Sequence, residues 1–322
     1  MTTKNQNAII ACGANHSVVI MADKTIRCWG DNICEQYDNL VHQQHLTFSN
    51  VIQIILGWFR PAQHENKHLT NVIGVACGFN HFVALIDNGT VRCWGNNTAN
   101  QCNPLHSTFT KVIQVVCGSW HSVALRSDGT IKCWGNNEYN QCDSVHLTFT
   151  NVVQVVCSLY HTVALISDGT VRCWGDNSYN QCDPLHRTFT DVIQIACGVY
   201  HSVALISNGT IYCWGDNDLN QCNLVHLTFT NVIQVACGCH HSVALLSDGT
   251  VRCWGSNGIN QLDPVHQNFT DVIQVACGHF HSVALLSNGT VRCWGQNNWN
   301  QCDPIHLTFT DVMLSPCFSL LW

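Results

Sequence analysis

Val272-Ile-Gln-Val-Ala-Cys-Gly-His-Phe-His-Ser-Val-Ala-Leu-Leu-Ser-Asn-Gly-Thr-Val-Arg-Cys-Trp-Gly295 holds three short β-rich runs separated by turn residues. The first run, strand A (272–278), ends in glycine, and two residues later strand B (281–286) begins at His281. Asn288-Gly289 then leads into strand C (291–295). Asn-Gly tolerates the positive φ angles of a tight hairpin, so B and C are expected to pair antiparallel. Strands A and B are apolar at nearly every position, whereas a sheet with one wet face alternates apolar with polar residues. A sheet built this way needs a cover on both sides.

The same stretch recurs along the chain. Cys-Trp-Gly starts at Cys28, Cys93, Cys133, Cys173, Cys213, Cys253 and Cys293, with a constant step of 40 residues from Cys93 onward. A second marker opens at His16, His81, His121, His161, His201, His241 and His281. Repeats start near residues 8, 72, 112, 152, 192, 232 and 272. A 40-residue unit has too small a core to stand alone, so neighbouring units must bury one another's sheet faces. Small antiparallel sheets stacked around an axis meet that need, and closing the circle leaves only short edges. The sequence therefore predicts one all-β domain over 1–322, a seven-bladed β-propeller. Asp311-Val-Met-Leu-Ser-Pro-Cys317 copies strand A again, and 311–322 is expected to close the ring beside the N-terminal unit. Segment 49–71 contains a strand-A copy without a B–C hairpin and reads as an insertion or remnant repeat. The stretch after Cys-Trp-Gly begins as loop and can supply a short outer strand D.

Composition agrees with a packed fold. Hydrophobic residues make up 46% of the 322 and charged residues 10%, against about 25% in ordinary soluble proteins. The 13 Lys and Arg against 20 Asp and Glu leave a formal charge of −7, with no basic block. Counterion release from phosphates needs clustered cations, so direct nucleic-acid binding is not expected. The start lacks the apolar core of a signal peptide and no run of 18 apolar residues occurs. No membrane association is expected, and the location implied is intracellular, cytoplasmic or nuclear.

The consensus Val-x-x-Val-x-x-Gly-x-x-His-(Ser/Thr)-x-x-Leu-x-x-(Asp/Asn)-Gly-x-(Val/Ile)-x-x-Trp-Gly-x-Asn-x-x-x-Gln resembles the repeat of the regulator-of-chromosome-condensation (RCC1) propellers. It fits all seven units, about nine-tenths of the chain. The short period is similar to compact bacterial members, including the propellers that inhibit β-lactamases. The resemblance implies a regulatory or inhibitory propeller, guanine-nucleotide exchange on a small GTPase among its activities. No residue of that activity can be placed here, and a basic chromatin-binding tail is absent. The chain departs from the family at Asn100, Asn140, Asn180, Asn220, Asn260 and Asn300, where relatives often carry glycine. Cysteine replaces alanine at small core positions.

The 22 cysteines fall into three registers plus Cys34 and Cys239. One follows strand A, one lies in Cys-Trp-Gly, and the third comprises Cys102, Cys142, Cys182, Cys222 and Cys302. Strands A and C flank B, which puts them two spacings, about 9.6 Å, apart and too far for a bridge within one sheet. Tyr37 and Leu262 stand in the third register, which therefore reads as a packing position. Reduced core thiols are the favoured reading, regular disulfides the alternative, and zinc the least favoured because no CxxC pair exists. One histidine in the same place in every unit reads as scaffold. No phosphate loop, GxSxG, HExxH or paired acids stand apart from the repeat, so no catalytic residue, cofactor or metal is assigned and no enzyme is expected.

Function is sought where the copies disagree. Two dipeptide slots vary, one between A and B and one after C. In a meander both emerge on the same face, and the Asn-Gly turns on the other. The varied face carries Phe79, Trp120, Tyr139, Tyr160, Tyr179, Tyr200, His240, Phe280 and Trp299. Exposed aromatic rings anchor protein interfaces. The alternative is that the rings fold inward and plug the mouth of the central channel. The expected function is a non-enzymatic protein-interaction module or scaffold with another protein as partner. Nucleotide exchange is the first alternative; an enzyme inhibitor or a self-associating assembly component is the other.

Overall fold

The computed structural model describes residues 10–12, 16–20, 25–30, 46–47, 72–78, 81–95, 97–102, 109–143, 149–183, 190–223, 230–262, 270–298 and 302. Strands build all of it, and no helix occurs among the described residues. The first sheet runs β1 (Ile10–Cys12), β2 (His16–Ile20), β3 (Thr25–Gly30) and β4 (Leu46–Thr47). Six three-stranded sheets follow. The second holds β5 (Val72–Cys77), β6 (His81–Ile86) and β7 (Val91–Gly95). The third holds β8 (Val112–Cys117), β9 (His121–Arg126) and β10 (Ile131–Gly135). The fourth holds β11 (Val152–Cys157), β12 (His161–Ile166) and β13 (Val171–Gly175). The fifth holds β14 (Val192–Cys197), β15 (His201–Ile206) and β16 (Ile211–Gly215). The sixth holds β17 (Val232–Cys237), β18 (His241–Leu246) and β19 (Val251–Gly255). The seventh holds β20 (Val272–Cys277), β21 (His281–Leu286) and β22 (Val291–Gly295).

Each sheet is an antiparallel meander with B between A and C. The A strands converge: β8 lies against β5 and β11, β14 against β11 and β17, and β20 against β17. β1 in turn packs on β20 and β21, which brings the first sheet against the last. The protein is a seven-bladed β-propeller with its A strands innermost. The closing strand expected at 311–322 and the insertion at 49–71 lie outside the described residues. Strand D appears as β4, paired to β3 through Thr25–Thr47 and Ile26–Leu46.

The cores sit between blades. Val116, Val123, Leu125 and Ile131 of blade three meet Val152, Val155, Cys157, Ala164 and Trp174 of blade four. The same set recurs between blades four and five, with Cys197 and Trp214 in the equivalent places. This is why A and B read as apolar on both faces: each sheet serves two cores. Cys117, Cys157, Cys197, Cys237 and Cys277 are fully buried there.

The B–C turns differ from the expected two-residue form. Only the glycine has positive φ, as in Gly129 at 76° and Gly169 at 81°. Gly129 N–H donates to the Arg126 carbonyl and Arg126 N–H to that of Thr130, which makes a three-residue loop with glycine in the left-handed position. The preceding Asp or Asn works through its side chain: Asp128 Oδ1 accepts from both the N–H and the hydroxyl of Thr130. The asparagines that replace family glycine before the buried glutamine have φ of 60° to 62° in Asn100, Asn140, Asn180, Asn220 and Asn260. Asparagine is the side chain best suited to that left-handed conformation after glycine.

The third cysteine register is not simply packing. Cys133–Cys142, Cys173–Cys182 and Cys293–Cys302 are disulfides, with Cα atoms 5.0 to 5.1 Å apart and partners nine positions apart in sequence. The reading of reduced thiols is therefore corrected at these six positions. The loop after strand C folds back along that strand and brings the third register beside the second, a pairing the A-to-C distance argument does not reach. At Cys253 the partner place is taken by Leu262, and Cys253 stays a buried free thiol whose pKa burial raises to about 12.

Candidate functional site

The invariant polar residues hold blade to blade. Five strand-B histidines aim Nε2 at the hydroxyl one blade on: His81 to Ser122 at 2.8 Å, His121 to Thr162 at 3.0 Å, His161 to Ser202 at 3.1 Å, His201 to Ser242 at 2.9 Å and His241 to Ser282 at 2.8 Å. Nδ1 of His81, His121, His201 and His241 is buried without a partner. Placing the proton on Nε2 leaves no N–H orphaned, so the imidazole donates outward and stays neutral. The next blade's tryptophan donates to the buried glutamine's carbonyl, as Trp174 Nε1 to Gln141 O at 2.9 Å. Strand A's glutamine copies a peptide group. Gln194 Nε2 donates to Val235 O at 3.1 Å and its Oε1 accepts from Val235 N–H at 3.0 Å. These groups are consumed by architecture.

That framework presents the variable residues. Both slots lie at one end of each sheet, because the residue after Cys-Trp-Gly donates its N–H to the carbonyl of the A–B slot. Asn136 to Trp120, Asp176 to Tyr160 and Asp216 to Tyr200 are 2.8 to 2.9 Å long. The buried glutamine grips the second slot from below: Gln141 Oε1 accepts Tyr139 N–H at 2.9 Å and Gln181 Oε1 accepts Tyr179 N–H at 2.8 Å. With its backbone anchored, each tyrosine extends outward; Tyr139 and Tyr179 are 43% and 44% exposed.

The rings pair across blade boundaries. Tyr139 of blade three meets Tyr160 of blade four with centroids 4.9 Å apart, and Tyr179 meets Tyr200 of blade five at 4.8 Å. Tyr200 in turn lies 6.4 Å from the His240 ring, and His279 stands edge-on to Phe280 at 6.0 Å. Trp120, Tyr160, Tyr200, His240 and Phe280 are half-buried. Phe79 and Trp299 fall outside the described residues. Burial raises the pKa of Tyr200, and the neighbouring Tyr160, Tyr179, Asp176 and Tyr139 push it further the same way. Burial lowers that of His240, with the Asp216 carboxylate acting against it. The pairs lie across the blade seams, each with one exposed and one half-buried ring.

Leu219 and Ile259 follow, 44% and 37% exposed at the places of Tyr139 and Tyr179. A search confined to aromatic residues passes over them, though they stand in the same slot. At the opposite end Val153, Ile193, Ile233 and Ile273 are 39% to 46% exposed. Each is the extra residue of a β-bulge in strand A, which turns its side chain out of the core. The position varies only between Val and Ile, so comparison among copies does not single it out. Among the described residues no three His, Cys, Asp or Glu side chains are arranged to hold a metal ion, and no helix is long and apolar enough to cross a membrane.

A closed ring of repeats whose fixed residues bind blades and whose varied residues crowd one end defines a repeat propeller. Residues 8–36, 72–101, 112–141, 152–181, 192–221, 232–261 and 272–301 match the regulator of chromosome condensation (RCC1) repeat, and the chain belongs to that family. The X-linked retinitis pigmentosa GTPase regulator homolog of Caenorhabditis elegans is 27% identical over 96 residues, 30% of this chain and 6% of that relative. The chain thus matches only a small part of that relative's length. Among solved structures, human WBSCR16 superimposes with a TM-score of 0.62 at 24% identity, covering 89% of this chain and 88% of that one. Prp20p of Saccharomyces cerevisiae, described with its binding to Gsp1p and histones, gives 0.60 at 21%, covering 85% and 81%. The ectodomain of the Arabidopsis thaliana receptor kinase ACR4 gives 0.64 at 20%, covering 92% and 97%. At these identities the likeness is one of fold.

Proposed function

We propose that this chain is a non-enzymatic interaction module that binds another protein through the loop end of the propeller. The observation that carries the reading is the pair of tyrosine contacts, Tyr139–Tyr160 and Tyr179–Tyr200, built across blade seams from the slots that vary between copies. Large rings with few rotatable bonds give contact area at low entropic cost. Trp120, Phe280 and His240 extend the surface, with Phe79 and Trp299 assigned to it by their slots. The regulatory names of the relatives support the same class, and exchange on a small GTPase is a second reading that family membership favours. An intracellular site of action is part of the proposal.

Alanine at Trp120, Tyr160 and Tyr200 together tests it. The variant is expected to keep its thermal midpoint within a few degrees and to lose the partner captured by the unaltered chain. Collapse of the fold would identify the rings as a plug of the channel mouth. A purified GTPase that releases nucleotide no faster with the protein than without it would remove the exchange reading.

A further inference from the structure

Among the described residues the loop end carries charge of one sign. Its described loops contain Glu138, Asp143, Asp176, Asp183, Asp216 and Asp218, and neither Lys nor Arg. The cations of the described residues lie elsewhere: Arg27, Arg92, Lys132, Arg172, Arg252 and Arg292 on the outer strands, Lys111 and Arg126 toward the turn end. Asp176 is nearly buried, 8% exposed, and its Oδ1 accepts from the N–H and hydroxyl of Ser178. Both donors are neutral groups. Asp176 N–H donates to the Tyr160 carbonyl at 2.9 Å, and Asp176 stands three residues before Tyr179 in the same loop, which ties this carboxylate to both the Tyr139–Tyr160 and the Tyr179–Tyr200 pairs.

An aromatic surface alone does not choose between apolar, acidic and basic partners. The acids decide. The face of a tyrosine ring attracts a Lys ammonium or Arg guanidinium within about 6 Å, and the attraction grows as water is excluded. Carboxylates behind the rings add to the same potential and repel an acidic partner, which sets partner choice and encounter rate. We propose that this face recognises a basic protein segment, one Lys or Arg side chain of which lies against the Tyr139–Tyr160 and Tyr179–Tyr200 pairs over Asp176, with Glu138, Asp216 and Asp218 steering the approach. The proposal rests on the loop-end reading above and adds the chemistry of the partner.

Fluorescence anisotropy on the full chain tests it with two labelled 12-residue peptides, one of alternating Gly and Lys/Arg and one in which Glu replaces every cation. The basic peptide is expected to bind at low salt and the acidic one not to bind. Tyr139→Leu with Tyr179→Leu keeps the apolar area but removes the ring faces, and Leu219 already occupies the equivalent place in blade five, so the fold tolerates it. That variant is expected to bind the basic peptide at least fivefold more weakly, with an unchanged thermal midpoint. Glu138→Gln with Asp218→Asn alters two exposed side chains and is expected to weaken binding about threefold at 50 mM salt, and less at 500 mM. Equal binding of both peptides, or of the basic peptide by the double-leucine variant, overturns the cation site. If the peptide result is negative while the triple-alanine variant still loses a native partner, the cation proposal falls and the loop-end reading stands.

Discussion

A single β-carbon separates the blades that need glycine at the end of strand A from the one that does not. At Gly238 a Cβ would meet the ring of His241 and the carbonyl oxygen of Gly278, the latter at 2.7 Å. The carbonyl belongs to the neighbouring blade's backbone and cannot step aside. Blade four has Ser158 here, and its hydroxyl donates to His161 Nδ1 at 2.6 Å, supplying the bond that the rings of His81, His121, His201 and His241 lack. Gly238→Ala adds the crowding without the hydrogen bond. Overpacking of this kind costs about 1–3 kcal/mol, against a gain of about 0.4–1 from a stiffer unfolded chain. A net loss near 1–2 kcal/mol is expected in urea unfolding, with Gly238→Ser less harmful. Gly258 is the control, since nothing lies within 4 Å of its missing Cβ and alanine there should be neutral or slightly stabilising. Equal effects at both positions would refute the steric account.

At the scale of strands, the repeat was readable because one period carried both hairpin and core signals. Residues 281–295 show B, turn and C in order, and the doubly apolar A strand already demands neighbours. The cysteine pairing was not readable, because it depends on how a loop returns over strand C, and spacing does not show the direction of a loop. The bulged Ile193 and Ile233 were equally hidden: their register slip follows from backbone pairing, not from residue type. The varied slots were readable as slots, while the pairing of Tyr139 with the next blade's Tyr160 needed the geometry of the seam. The disulfides give a direct check. Denatured without reductant, the protein should show at least six fewer reactive thiols than the 22 of its sequence, and reductant should restore them. A full count without reductant would mean that these strand–loop pairs exist as dithiols, as a reducing compartment would keep them.

The glutamine clamps raise a second question about elements. Gln114, Gln194 and Gln234 each offer Oε1 to an N–H that lies 41 residues later. Gln274 is as deeply buried, yet its Oε1 has no partner. Counting 41 residues on from Gln274 reaches Ser315, inside the strand-A copy read at 311–317. Among the described residues β1 has three residues where the other A strands have six. Deleting 311–322 is therefore expected to lower the thermal midpoint by several degrees, and Gln274→Leu to be tolerated in the deleted chain better than in the full one. An unchanged midpoint on deletion would show that the ring closes through β1 alone.

For the molecule as a whole, the histidine ring makes stability a function of pH. Burial lowers the pKa of His81 and His161 to about 4 and of His121, His201 and His241 to about 3, from 6.5. Their folded values lie below the unfolded one, so between these limits the unfolded chain binds more protons. Stability is then complete above about pH 6.5 and falls as pH drops toward 4. At pH 5 each neutral ring forfeits about 2 kcal/mol. Five together reach about 10 kcal/mol, comparable with the whole stability of an ordinary domain. Because every ring bridges two blades, protonation strains all these seams at once and loosens the circle cooperatively. Circular dichroism should show a single acid transition centred between about pH 4.5 and 6, with urea midpoints falling steadily below pH 6.5. Asp128, Asp168 and Asp248, held below their usual range by hydrogen bonds from the following threonines, add loss in the same direction at lower pH. A protein still folded at pH 4 with an unchanged urea midpoint would mean that the seams do not depend on neutral imidazoles.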